Sequence, residues 1–90
     1  MPALTKAGLK KLKGRVFSAE QFERIVESIF ENGFVNTNGS LNQLADYIGY
    51  KAYLQVEEFA DAEGHKVVLE FVKEFVNGHV YYHVRDVEVE

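Results

Sequence analysis

No cysteine occurs among the 90 residues, which excludes a disulfide framework, a thiolate zinc site, an iron–sulfur cluster and a cysteine nucleophile. No apolar run approaches the roughly 18 residues of a membrane-spanning helix, and Met1 to Gly14 lacks the apolar centre of a secretion signal. The expectation is a cytoplasmic protein. A glycine-rich phosphate loop and a dinucleotide fingerprint are also missing. Hydrophobic residues at 47% and charged residues at 27% are ordinary for a folded chain, and this length suits one small domain.

The formal charge of −4 is unevenly placed. Lys6, Lys10, Lys11, Lys13 and Arg15 give residues 1–19 a charge of +5 with no acid, and the remaining residues carry −9. A protein that covers nucleic acid with a broad face needs cations there, so only the arm suits phosphate. The chain divides into a basic N-terminal arm, 1–15, and an α+β domain, 16–90. Lys10, Lys11, Lys13 and Arg15 suit an acidic partner or nucleic acid, whereas the plainer reading of such an arm is solvation.

Ser18 and Gln21 have the spacing of a capping box, with Phe17 and Phe22 in the staple positions around it. Phe22, Ile25, Val26, Ile29 and Phe30 then recur along one helical face, and Gly33 supplies a stop. This predicts a helix over 18–32. Ser40 and Gln43 repeat the capping pattern ahead of Leu41, Leu44, Ala45 and Ile48, with Gly49 as the stop, which predicts a second helix over 40–49.

From Tyr53 the apolar period becomes two. Asn77-Gly78 is a strong hairpin signal because a type I′ turn needs two residues with positive φ. Asp61 to Gly64 reads as a four-residue loop. The expected fold is therefore two helices packed on a three-stranded antiparallel meander of 53–60, 65–76 and 79–89. In that register Phe71 faces Val84, Glu70 faces Arg85, Val56 faces Leu69 and Leu54 faces Phe71, which are favourable cross-strand pairs.

One sheet face then carries Leu54, Val56, Val67, Leu69, Phe71, Phe75, Val80, Tyr82 and Val84 and forms the core. The other carries Tyr53, Phe59, Val68, Val72, Val76, Tyr81, Val87 and Val89 among charged groups, which is too apolar for bare solvent. Two readings stay open. Either the arm lays Leu4, Leu9, Leu12 and Val16 on this face, or a β-bulge returns Val87 and Val89 to the core, and the face needs no partner. Otherwise it binds a partner or a second copy of the chain.

Most catalytic and metal patterns fail on spacing. His79 and His83 lie roughly 13 Å apart on a strand and cannot share a zinc ion, and His65 lies toward the hairpin's other end. Asn36, Asn38 and Gly39 match three positions of a calcium loop, but Phe34 and Ala45 stand where its two key carboxylates belong. Ser18 and Ser40 have capping roles. Glu57 and Glu58 point to opposite sides of a strand, so they do not share a bond to be cleaved. The expectation is a protein that is not an enzyme and uses no cofactor or metal.

The functional expectation is a small protein-binding protein, acting as an inhibitor or regulator of a nucleic-acid-handling machine by steric or acidic-surface occlusion. Tyr53, Phe59 and Tyr81 are the expected anchors, with Glu57, Glu70, Glu74, His83 and Arg85 setting partner choice. In size and layout the chain resembles the small inhibitors encoded by phages. The alternative is a winged helix-turn-helix transcriptional regulator. Leu44, Ala45, Ile48, Gly49 and Tyr50 resemble its small-residue and glycine spacing over about ten residues. That resemblance implies a recognition helix over 51–62 and a wing over 66–89.

Overall fold

The structure, a computed structural model, describes residues 5–47 and 50–90, and the side chains of all of these except 38–47 and 50–53. Its elements are α1 (Lys6–Lys10), β1 (Val16–Ser18), α2 (Ala19–Glu31), β2 (Val35–Tyr47), β3 (Tyr50–Ala60), β4 (Lys66–Val76) and β5 (His79–Val89). The strands form one antiparallel sheet in the order β1-β5-β4-β3-β2. This corrects the expectation of two helices on three strands: the sheet gains a strand at each edge. None of the helices among the described residues is long and apolar enough to cross a membrane.

The capping box forms at α2. Gln21 N–H donates to Ser18 Oγ at 3.2 Å, and Ser18 N–H donates to Gln21 Oε1 at 3.0 Å. Such a cap stabilises by about 1 kcal/mol. The helix buries Phe22 and Ile29 on the sheet, and Phe22 stacks on Tyr82 with ring centroids 4.3 Å apart. At the other end Phe30 meets Phe59 edge-on at 5.7 Å.

The 13 residues of α2 reach about 20 Å at 1.5 Å per residue. The 11 residues of β4 reach about 36 Å at 3.3 Å per residue. The helix therefore starts over Phe71, which its Phe22 touches at 4.8 Å, and runs away from the β4–β5 turn. Phe75, expected in the core, lies past that start and is 67% exposed.

Residues 40–49 are not the second helix. Residues 35–47 form β2, which pairs with β3 from Val35↔Ala60 to Tyr47↔Tyr50, while Ile48 and Gly49 lie outside the described residues. Ser40 and Gln43 offered a cap worth about 1 kcal/mol, whereas as a strand the segment gains a ladder with β3 from Val35 to Tyr47. The winged helix-turn-helix falls on the same ground, since its recognition helix at 51–62 is strand β3.

Between β3 and β4 the loop is Asp61–His65, one residue longer than expected, because Ala60 pairs with Lys66. That shift turns every β3 side chain to the other face. Val56 stands opposite Glu70 and Leu54 opposite Val72, not Leu69 and Phe71. Phe59 enters the core at 0% exposed. At the β4–β5 turn both central residues adopt positive φ, 50° at Asn77 and 79° at Gly78, and Phe71 faces Val84 as expected.

Beyond that pair Arg85 is the extra residue of a bulge, so Glu70 faces Asp86 and not Arg85. The bulge returns Val87 to the core at 7% exposed, with Val89 packed against it. The N-terminal segment packs on the helix side of the sheet, not on its second face: Leu9 is 4% exposed and Leu12 packs against the same cluster. Leu4 lies outside the described residues. Gly14 N–H donates to Val84 O at 2.8 Å and Val84 N–H donates to Arg15 O at 2.9 Å, leading the chain into β1. Val16 stands opposite His83 on the sheet's other side and is 52% exposed.

Candidate functional site

The face opposite the helices has a mixed apolar and acidic surface. Strand pairing sets Leu54, Val72, His83 and Val16 in one row, with Val56, Glu70 and Asp86 in the next. Glu58, Val68 and Glu88 follow in a third row. On the other side of the first row, Glu74 stands opposite Tyr81, which pairs with Ser18. Val72 is 1% exposed without belonging to the helix-side core, so its cover comes from this face. Beside it the His83 Nε2 and the Glu74 carboxylate are in contact, with side chains 17% and 23% exposed.

The remaining charges are tethered more loosely. Lys66 lies 3.6 Å from Glu58, and Thr37 Oγ1 donates to the Glu58 carboxylate at 3.1 Å. Lys13 lies 3.6 Å from Asp86, with both side chains well exposed. Such pairs contribute at most about 1 kcal/mol each. The carboxylates Glu58, Glu70, Glu74, Asp86 and Glu88 are thus interleaved with Leu54, Val56, Val68 and Val72, and the strand register places Lys66 and the imidazoles of His79 and His83 among them.

Of the expected partner-binding residues, Glu70, Glu74, Tyr81 and His83 are together on this face. Arg85 is exposed on the bulge at its rim. Phe59 is a correction, a fully buried core residue and not an anchor. Glu57 is another: it lies on the helix side, in a shallow groove with Glu23, Phe22 and Tyr82. Burial, aided by the Glu57 and Glu23 carboxylates, raises the Tyr82 hydroxyl above its ordinary pKa of 10.0. The side chain of Tyr53 lies outside the described residues.

Leu54, Val56 and Glu58 were missed for this face because the loop was read one residue short. The signal was Asp61. Its Oδ1 accepts from Glu63 N–H at 3.0 Å and from His65 N–H at 2.8 Å, an aspartate turn that closes over a longer loop. The basic residues of the arm have different surroundings. Lys13 reaches Asp86, Arg15 lies over the Phe17 ring at 5.4 Å, Lys6 borders the end cleft described next, and Lys10 closes α1, followed by the exposed Lys11.

An open cleft of about 630 Å³ lies at the other end of the molecule. Leu9, Phe34, Val67 and Val89 line it, with Lys6, Asp61, His65 and Glu90 at its polar parts. Asp61, Glu63 and His65 bring possible ligand atoms within 4.8 Å of one another. The Asp61 oxygens already have work: Oδ1 holds the two backbone N–H groups and Oδ2 pairs with His65 Nδ1 at 2.8 Å. Loop closure accounts for the cluster.

The same contacts set its protonation. The Asp61 hydrogen bond and negative charge raise the His65 pKa above 6.5, against a smaller opposing effect of burial. For Asp61, burial pushes upward, but the hydrogen bonds and charge of His65 and the Glu63 N–H together hold it below 3.8. No protein-family model, curated protein or solved structure matches this chain.

Proposed function

We propose that this protein acts by binding another protein through the sheet face opposite the helices, as a non-enzymatic inhibitor or regulator of a nucleic-acid-handling machine. The observation that carries the reading is the interleaving of Glu58, Glu70, Glu74, Asp86 and Glu88 with Leu54, Val56 and Val68 over the buried Val72. The apolar side chains of such a face exclude water while the charged ones among them select the partner. The carboxylates favour a basic partner, and the phosphate-binding groove of a nucleic-acid enzyme is a basic surface that such a face would occlude. Tyr81 is the aromatic group in position to anchor the contact.

The test is affinity capture with the wild-type chain and with a Glu70→Lys/Glu74→Lys variant checked for folding by circular dichroism. The wild type is expected to retain a basic nucleic-acid-handling protein, to lose it at high salt, and to inhibit its activity. The double variant is expected to do neither. Capture of the same proteins by both baits would sink this reading.

A further inference from the structure

We infer that the outer edge of β2 pairs with the β2 edge of a second copy of the chain, joining two five-stranded sheets into one. The inference is independent of the partner proposed for the sheet face.

The two edges of the sheet are unlike. At the β5 side, β1 covers Tyr81–His83, and the backbone of Gly14 and Arg15 continues that cover to Val84. The rest of β5 carries the Arg85 bulge and the charges of Arg85, Asp86 and Glu88. A short edge strand, a bulge and charge are the devices by which proteins keep sheet edges from joining. β2 ends the sheet on the other side. Its register is irregular only between Asn36 and Leu41, and from Leu41 to Tyr47 it pairs without interruption with Val56 to Tyr50. The 13-residue strand has no proline and no lysine, and Asp46 is its single charged residue. Along 41–47 Asp46 is the one residue of that kind in the sequence.

The sequence there complements itself. In an antiparallel pair, residues alternate between turning their N–H and C=O toward the partner and away from it. Taking Tyr47↔Tyr50 as the hydrogen-bonded pair that closes the hairpin, Asn42, Leu44 and Asp46 direct these groups outward. A two-fold axis at Leu44 matches those positions: Leu44 meets Leu44 of the second copy, and Asn42 meets Asp46 twice. The intervening pairs are Leu41 with Tyr47 and Gln43 with Ala45. No like charges oppose each other, and the Leu41–Tyr47 pairs combine aliphatic with aromatic groups, a favourable cross-strand combination. A second copy suits this edge because each strand supplies what the other needs.

The test is the oligomeric state: light scattering and analytical ultracentrifugation of the full chain over a concentration series, with circular dichroism on each variant to confirm folding. A dimer populated at roughly 100 µM is expected, since a contact of this size is below that of stable complexes. Asn42→Glu sets a carboxylate against Asp46 at two places and should weaken the dimer roughly 3- to 10-fold; Asn42→Lys should tighten it by a similar factor. A chain that stays monomeric at roughly ten times that concentration overturns the inference. So does a dimer indifferent to both substitutions, or one that responds only to Glu70→Lys/Glu74→Lys, which would place the contact on the sheet face.

Discussion

Phe59 stands directly opposite Val67, and both are buried beneath the helices, at 0% and 1% exposed. This pairing decides the role of every other β3 side chain, because alternate residues face opposite ways. Phe59→Ala should therefore cost about 3–5 kcal/mol, read as a fall in the urea midpoint at unchanged slope. Tyr81→Ala, on the open face, should cost much less. A Phe59→Ala chain of unaltered stability would restore Phe59 as a surface anchor.

The two capping boxes written in the sequence lead to different outcomes. Ser18→Ala should destabilise by about 1 kcal/mol, because it removes the acceptor for the Gln21 N–H. Ser40 lies within β2, where there is no helix to cap. Ser40→Ala should therefore stay within about 0.5 kcal/mol of wild type. Equal losses from the two substitutions would argue for a helix at 40–49.

His65 is expected to titrate above 6.5 in a proton NMR series, and Asp61→Asn should return it toward that value. The sign of the stability effect follows. A histidine pKa raised by folding stabilises fully below 6.5, and the gain is lost as pH rises through the folded value. Asp61, lowered below 3.8 by folding, stabilises above 3.8, and that gain is lost as pH falls through its folded value. The loop should therefore be best protected between about pH 4 and 6.5. Protection that rises steadily above pH 7 would contradict the pairing.

Ultraviolet difference titration should show Tyr82 ionising later than the ordinary value of 10.0, as a late component that Tyr82→Phe removes. Glu57→Gln should bring it partway down, because burial is the larger cause and the carboxylates add to it. A full return with Glu57→Gln would mean that burial plays no part.

Local patterns foretold the elements whose signals agree. At α2 a capping box is followed by a wide apolar stripe. At Asn77-Gly78 both turn residues tolerate positive φ between strongly alternating segments. At β2 the capping pattern preceded a narrower stripe, and the segment instead pairs with β3 along its length. A residue's face is harder to read than its strand, since it depends on counting across loops and bulges. One extra residue in Asp61–His65 buried Phe59 and exposed the Leu54 and Val56 side. The Arg85 bulge, weighed as a way to return Val87 and Val89, did so. Glu70, Glu74, Tyr81 and His83 share a face because their β4–β5 register starts from the turn that the sequence marks most clearly.

The pairing of Val16 with His83 bears on the order of folding. About three-quarters of the 90 residues intervene between those partners, so their contact closes the largest loop in the sheet. The neighbouring hairpins close loops of a few residues each. Loop-closure entropy grows with length, so β1 should dock after the β3–β4–β5 meander has assembled. Phe17→Ala should then speed unfolding and leave the folding rate almost unchanged, and a matching drop in folding rate would place β1 in the nucleus.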